Sequence, residues 1–351
     1  PLGNLARTRP PLLLSPGGGE RWQVGRTHSI VWKTAAPAVK LEYSTDNGAA
    51  WTLLQATYPG DLGTYDWAVP NAPSRKVLVR ITELGGEGRV ATSAAFDIAD
   101  LVLTNLADNA VWQTGVPRAI EWTSATVEKI DLQLSTDDGL IWTTIASSLP
   151  AESGSYNWTP TTSAIALRIR AVDALAGSEV QDTAAGVFSI KSLALTVFAE
   201  PQALIATSPY TLSWTSGGVQ TIDLAYSKDD GTTWIPIVSG APARIPLSKT
   251  VGTYEWMVPF DPGMDYRLRV SDSDVPEIRA ESAALFSIVP PALELLGTPG
   301  SLAAGSTFTI RWTSEWTENV RLEYAMDGTE TWCPIADSVT ATSGEFEWIV
   351  P

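Results

Sequence analysis

The chain is poor in the residues from which catalytic and metal sites are usually built. It contains one histidine and one cysteine among 351 residues. A single cysteine excludes an internal disulfide framework and a cysteine-rich metal site. The sequence also lacks the nucleophile elbow of hydrolases, the HExxH pattern of zinc enzymes and a phosphate-binding glycine loop. We therefore predict a protein that is not an enzyme and that holds no cofactor.

Positive charge and long apolar segments are scarce as well. The 23 lysines and arginines are outnumbered by 39 acidic residues, which leaves a net charge of -16. Such a chain has no basic surface to displace counterions from nucleic-acid phosphates or to dock on an anionic membrane. No apolar run reaches the length of about 18 residues that a membrane-spanning helix requires. We expect neither a nucleic-acid partner nor membrane insertion.

Tryptophan, by contrast, is abundant and regularly placed. Twelve of the 15 tryptophans fall into three slots that recur four times along the chain. The repeat length is about 90 to 98 residues, which is the size of one small domain. The tryptophan of the first slot follows an apolar residue and one spacer residue. The tryptophan of the second slot closes a turn, and that of the third slot ends a Gly-x-aromatic-x-Trp motif. In slot order the twelve residues are Trp32, Trp122, Trp214 and Trp312; Trp51, Trp142, Trp234 and Trp332; and Trp67, Trp158, Trp256 and Trp348.

We interpret all twelve as structural core, because an aromatic residue in the same slot of every unit is typical of a repeated core. A further recurring position holds Trp22 and Trp112 in the first two units and Leu204 and Leu302 in the later ones. Replacement by leucine indicates that the side chain packs in the core and does not stack on a sugar. Trp316 has no counterpart in the other units. It is the candidate for an exposed contact.

The local patterns between the tryptophans predict β-strands. In the segment VKLEY, Val39, Leu41 and Tyr43 share one face while Lys40 and Glu42 share the other. Each unit contains about seven such short segments, separated by turn signals, with no helical period. This is the size of an immunoglobulin-like or fibronectin III-like sandwich, and a four-stranded propeller blade would be half as long.

The predicted fold is all-β, with four tandem sandwiches, the fourth incomplete, in an elongated rod. Linkers of two to four residues, such as Ala99-Asp100, separate neighbouring units. The predicted boundaries are 1–10 for a linker or a remnant of expression, 11–98, 99–190 and 191–288 for three full repeats, and 289–351 for a partial fourth repeat.

The turn that closes on the second tryptophan has the form S-x-D-x-G-x-x-W in three repeats, and the fourth departs from it at Ala325. It resembles the Asp-box hairpin of sialidases and other β-proteins, in which the motif is structural. Asp-Gly and Asn-Gly tolerate positive φ and so close a tight hairpin. A calcium site is the alternative, although such a turn offers few of the six to eight oxygens that calcium prefers. Its candidate ligands are Asp46, Asp137, Asp138, Asp229 and Asp230.

Two single residues complete the inventory of candidate chemistry. His28 opens the strand HSIVW of the first repeat and has no partner nearby in sequence, so we predict a surface strand residue. Cys333 follows Trp332 directly and is predicted to be an unpaired thiol without a catalytic role.

The succession PGGGERW, SIVW, YSTDNGAAW, GTYDW and FDI in the first repeat resembles the Ig-like repeats of large secreted and surface proteins of bacteria. It is also similar to the Kre9/Knh1-type extracellular β-sandwich domain of fungal walls. The resemblance implies a secreted or cell-surface protein that acts as a stalk, an adhesin segment or a component of a filament or other surface assembly. The alternative is an ancillary carbohydrate-binding or spacer array of an extracellular hydrolase. The implied partners are other protein chains, bound through edge strands or end to end, or cell-surface glycans.

The fourth repeat stops short of two strands that the other three possess. They are Val77–Ile81 and Phe96–Ile98 in the first repeat, and their counterparts in the second and third. In an Ig-like sandwich these are strands F and G, and F pairs with strand C. The strand Val320–Met326 is therefore expected to have an open edge, which is a template for another strand. Either the native chain continues beyond Pro351 or a neighbouring molecule donates the strands.

Overall fold

The computed structural model describes residues 9–85, 87–243, 251–315, 317–326 and 328–351. Within these ranges the chain is built from β-strands, and the helices are two 3-10 turns at Ala151–Ser153 and Ala341–Ser343. The predicted all-β fold class is confirmed, and the chain is a tandem array of Ig-like sandwiches. It divides into two compact units, Pro1–Lys191 and Ser192–Pro351. None of the described helices is long and apolar enough to cross a membrane.

The first repeat is a sandwich of two sheets. Strands β1, β3 and β6 form one antiparallel sheet, and the other has the order β5-β4-β7-β9, with β2 parallel to β9 and β8 against β7. The strands are β1 Leu12–Ser15, β2 Arg21–Gln23, β3 Thr27–Lys33, β4 Ala38–Ser44, β5 Thr52–Pro59, β6 Thr64–Ala68, β7 Ser74–Leu84, β8 Val90–Thr92 and β9 Phe96–Leu103.

The second repeat has the same topology. The end of β9 pairs with β11, which pairs with β14, and the other sheet is β13-β12-β15-β17 with β10 parallel to β17. The strands are β10 Val111–Gln113, β11 Arg118–Ala125, β12 Lys129–Ser135, β13 Thr143–Pro150, β14 Ser155–Trp158, β15 Ala164–Asp173, β16 Gln181–Thr183 and β17 Phe188–Leu195.

The third repeat follows the same plan. Its strands are β18 Gln202–Ile205, β19 Pro209–Gly217, β20 Thr221–Ser227, β21 Ile235–Pro242, β22 Val251–Met257, β23 Gly263–Asp272, β24 Arg279–Glu281 and β25 Phe286–Val289. The fourth repeat has one three-stranded sheet, β26-β27-β30, and one pair, β28-β29. Its strands are β26 Ala292–Leu295, β27 Thr307–Glu315, β28 Asn319–Tyr324, β29 Cys333–Thr340 and β30 Glu345–Ile349.

The first-slot tryptophans occupy the centre of each sandwich. Trp32, Trp122, Trp214 and Trp312 are all buried. Each indole Nε1–H donates to a backbone carbonyl at the crossing between the two sheets, namely those of Gly60, Ala151, Ala243 and Ala341. A buried indole needs such an acceptor.

The third-slot tryptophans lie at the edge of the same cores. Trp67 and Trp256 are buried, and Trp158 and Trp348 are half-buried against the cores of their repeats. In the third repeat the glycine that opens this motif faces the first-slot ring. An added Cβ at Gly252 would lie 2.4 Å from Cε2 of Trp214, so this position requires a residue without a side chain.

The first two repeats meet without a linker. Strand β9 runs unbroken from Phe96 to Leu103, so its first half closes the first repeat and its second half opens the next. Ala99 is fully buried within this strand. The prediction of a separate linker at Ala99-Asp100 was wrong, because both residues belong to the strand. Apolar alternation continues through the joint, and a chain segment with this pattern has no reason to leave the extended conformation.

Candidate interaction surfaces

The second-slot tryptophans are not part of the core, which corrects the prediction from sequence. Trp51, Trp142 and Trp234 are half-buried on the outer face of the sheet, and Trp332 is 63% exposed. The turn preceding each of them breaks the two-residue alternation of the strand before it. The face on which the ring lies therefore could not be counted from the sequence.

An arginine covers each of these rings in the first three repeats. The guanidinium carbons of Arg80, Arg170 and Arg269 lie 4.0, 4.3 and 4.2 Å from the ring centroids of Trp51, Trp142 and Trp234. These are cation–π distances, and the arginine excludes water from one face of the indole. The face covered by the arginine is not available as a platform for a sugar.

Each of these arginines lies on the F strand of its repeat, which is β7, β15 or β23. There it is directly opposite one residue of the C strand, which is β4, β12 or β20. Arg80 is in register with Glu42 and donates to its Oε2 from Nε at 2.9 Å and from Nη2 at 2.7 Å. Arg170 faces Gln133 and donates to its Oε1 at 2.7 Å. The stack is thus fixed by strand register. One sequence pattern could have predicted these arginine–tryptophan stacks. In all three repeats an arginine stands directly before the last apolar residue of the F strand.

The aspartates proposed as calcium ligands are used by their own turns. Asp46 Oδ1 accepts from Ser44 Oγ at 2.7 Å and from the amide of Ala50 at 2.9 Å, and the same contacts recur at Asp137 and Asp229. Asp138 and Asp230 pair with Arg168 and Arg267. Among the described residues, no group of three or more potential metal ligands comes together.

The turn of the third repeat predicts a measurable acid sensitivity. Hydrogen bonds from the hydroxyl and amide of Thr233 and from Ser227 lower the pKa of Asp229 from 3.8 to about 2. Because the folded pKa lies below the unfolded one, the stabilisation is complete above about pH 4 and is lost as the pH falls through about 2. A carbon-detected NMR titration of the Asp229 carboxyl should show this pKa.

The other repeats supply the control for this titration, because Ala50 and Ile141 stand where the third repeat has Thr233. Thr233→Ala removes the hydroxyl donor and should raise the pKa of Asp229, while the amide bond remains. An unchanged titration in this variant would contradict the assigned cause.

The joint between the first two repeats contains a buried ionic cluster. The guanidinium of Arg21 donates to Asp97 Oδ2 from Nε at 3.2 Å and from Nη2 at 3.0 Å, and to Asp173 Oδ2 from Nη1 at 2.6 Å. The side chains of Arg21 and Asp173 are only 8% and 2% exposed. Burial works against the charge of Arg21, but the bonds to Asp173 and Asp97 outweigh it and raise its pKa. Nothing in the sequence marked this cluster, since its arginine does not recur in the other repeats.

Polar contacts around this cluster hold the two repeats at one angle. The side-chain amide of Gln23 donates to the backbone carbonyl of Gln181 at 2.8 Å. It also accepts a hydrogen bond from the backbone N–H of Gln181 at 3.1 Å. On another side, Thr126 Oγ1 donates to the carbonyl of Ile98 at 2.7 Å. Arginine and amide forks of this kind tolerate little rotation of one repeat against the other.

A polar cleft of about 670 Å³ opens beside the cluster, and His28 lies in its wall. The imidazole stacks on Trp22 with ring centroids 4.6 Å apart, and burial lowers its pKa while the charge of Glu179 raises it. The prediction of a surface residue is therefore only partly right, because His28 is half-buried. Cys333 is a free, half-buried thiol at the start of β29. Trp316 lies outside the described residues.

The fourth repeat presents an uncovered apolar face. Strand β28 pairs with β29 on one edge, and its other edge has no partner among the described residues. A cavity of about 290 Å³ opens there, lined mainly by apolar side chains that include Phe308, Leu322, Ile335 and Trp348. Leu295 beside it is 55% exposed. Apolar surface of this kind on a sheet edge is typical of a binding site for another strand.

In comparisons with known proteins, the chain is similar at low identity to several solved structures. No protein-family profile and no curated protein matches it. An I-band fragment of titin is 12% identical over 80% of this chain and 99% of its own length, with a TM-score of 0.27. The D1-D4 ectodomain fragment of ICAM-5 is 12% identical over 98% and 91%, with a TM-score of 0.25. Fibronectin(III)-like modules of CbhA from Clostridium thermocellum are 19% identical over 51% and 92%, with a TM-score of 0.22.

Proposed function

We propose that this chain is a non-catalytic spacer array of a secreted or cell-surface protein, which sets the distance and angle between the parts that it connects. The observation that carries the proposal is the joint between the first two repeats. There Arg21 is buried between Asp97 and Asp173, and β9 passes through without a loop. A buried ion pair offsets its desolvation only in a narrow geometry, so it favours one angle between the repeats.

The buried joint argues against a flexible tether, and the covered tryptophans argue against a glycan-binding array. A flexible tether has no use for a buried cluster, because the cluster restricts the motion that a tether provides. A glycan-binding array needs exposed aromatic rings, whereas Arg80, Arg170 and Arg269 cover the outer tryptophans of the first three repeats. A location outside the cell follows from the resemblance to extracellular repeats and forms part of the proposal.

The rigidity of this joint can be measured by electron–electron distance spectroscopy on the full chain. Spin labels at Leu53→Cys and Thr144→Cys, in a Cys333→Ser background, occupy equivalent exposed positions of β5 and β13. We expect one narrow distance distribution. Arg21→Met should broaden it, because the fork that fixes the angle is lost.

Arg168→Ala serves as the matched control, since it breaks an ion pair with Asp138 inside the second repeat. Its distribution should equal that of the unaltered chain. A broad or multimodal distribution in the unaltered chain would refute the role as a spacer.

A further inference from the structure

Strand β14 and the residue after it carry the one segment of the chain with the form Asn-x-Ser/Thr, at Asn157-Trp158-Thr159. This form is the acceptor for N-linked oligosaccharides. Asn157 and Thr159 are exposed, while Trp158 between them is half-buried and packs against the core of the second repeat. The two-residue alternation of the strand therefore puts both essential residues of the motif on the solvent side.

The other three repeats have a carboxylate where the second repeat has Asn157. In each of them the carboxylate stands directly opposite a hydroxyl residue of the neighbouring strand. The pairs are Ser29–Asp66, Thr211–Glu255 and Thr309–Glu347. In the first repeat Ser29 Oγ donates to Asp66 Oδ1 at 2.7 Å, so the facing residue holds the acidic side chain against the sheet.

Both members of this pair are changed in the second repeat. Ala119 stands opposite Asn157. Its methyl group offers no hydrogen bond, so it does not tie the amide of Asn157 to the sheet as Ser29 ties Asp66. On the other side, β14 is the edge of its sheet among the described residues. A group attached to Asn157 therefore meets a small side chain on one side and solvent on the other.

We propose that Asn157 is the acceptor for an N-linked oligosaccharide. In the transfer, Nδ2 of Asn157 forms a bond to the anomeric carbon of a lipid-linked oligosaccharide diphosphate. The bond from that carbon to the diphosphate oxygen breaks, and the diphosphate leaves with its electron pair. Nδ2 gives one proton to a base of the transferase, so the step needs no oxidant or reductant.

The oligosaccharide would have a physical role on this strand. An exposed sheet edge is a template for strands of other chains, and charged side chains are one means of blocking it. The edge strands β6, β22 and β30 carry the carboxylates of the other repeats, whereas the outward residues of β14 are uncharged. A bulky, solubilising group at Asn157 takes over this protection. The inference rests on the extracellular location that forms part of the proposed function.

The test directs the full 351-residue chain into the secretory pathway of a eukaryotic cell and analyses the secreted product by mass spectrometry. We expect one oligosaccharide per chain, attached at Asn157 and removed by peptide:N-glycosidase. Asn157→Gln and Thr159→Ala should abolish the addition, and Thr159→Ser should keep it. Both positions are exposed, so these variants should fold as the unaltered chain does.

The melting temperature tests the fit on the folded surface. The modified chain should melt no lower than the chain from which the oligosaccharide has been enzymatically removed, because the attached group stands in solvent. A lower melting temperature of the modified chain would contradict the placement on β14.

Glu255→Asn combined with Met257→Thr is the matched control, since it puts the motif at the equivalent position of the third repeat, opposite Thr211. Secretion of the unaltered chain without an oligosaccharide at Asn157 would overturn the proposal, whether or not the control is modified. The spin-label distances separate this failure from that of the spacer. A narrow distribution in an unmodified chain refutes the oligosaccharide alone, and a broad one in a modified chain refutes the spacer alone.

Discussion

Replacing Trp214 with alanine is expected to lower the free energy of unfolding of the third repeat by about 3 to 5 kcal/mol. The ring is 1% exposed and its Nε1–H donates to the carbonyl of Ala243 at 2.9 Å. The variant therefore leaves a cavity and removes one of the two side-chain hydrogen bonds to the carbonyl of Ala243, which keeps the bond from Ser216 Oγ at 3.3 Å. Chemical denaturation followed by hydrogen exchange of peptides from the third repeat would locate the loss.

Trp234→Ala is the control in the same repeat. This ring is half-buried on the outer face beneath Arg269, so its removal opens no internal cavity. Its cost should be clearly smaller than that of Trp214→Ala. Equal losses for the two variants would contradict the distinction between a core slot and an outer slot.

Replacing Arg21 with methionine should destabilise the first two repeats by about 3 to 5 kcal/mol, because the buried carboxylate of Asp173 then has no cation. That carboxylate is 2% exposed, and among the described residues it keeps an amide bond from Leu175 at 3.1 Å. Adding Asp173→Asn to the Arg21→Met chain removes the uncompensated charge and should recover much of the loss. Urea unfolding of the single and double variants measures both effects.

The exposed pair Arg75–Glu128 provides the comparison at the same joint. Its side chains are 49% and 71% exposed and screened by water, so Arg75→Ala should cost much less than Arg21→Met. An effect of Arg21→Met as small as that of Arg75→Ala would show that the buried cluster does not hold the repeats together.

The sequence predicts the strands and the turns because their causes are local. The alternation in β4 and the Ser-x-Asp-x-Gly turn each lie within a few residues, and the structure contains both. The position of Trp51 could not be predicted in this way. Its covering arginine, Arg80, is 29 positions away and meets it only when β7 pairs with β4.

The joint escaped prediction for a related reason. Arg21, Asp97 and Asp173 are far apart in sequence, and each alone is typical of a surface residue. Their burial follows from the docking of two complete repeats. Residues that form a single joint do not recur in every repeat. The periodicity that identified the domains therefore could not identify this ionic cluster.

The unbroken strand β9 has a consequence for folding cooperativity. In a tandem array, each domain normally unfolds as an independent unit, and neighbours influence each other only through their interface. Here the last strand of one domain and the first strand of the next are the same segment, Phe96–Leu103. If either domain melts, one half of this strand loses its hydrogen-bonded partner while the other half stays paired. The first two domains should therefore unfold together, and the cooperative folding unit is longer than one repeat.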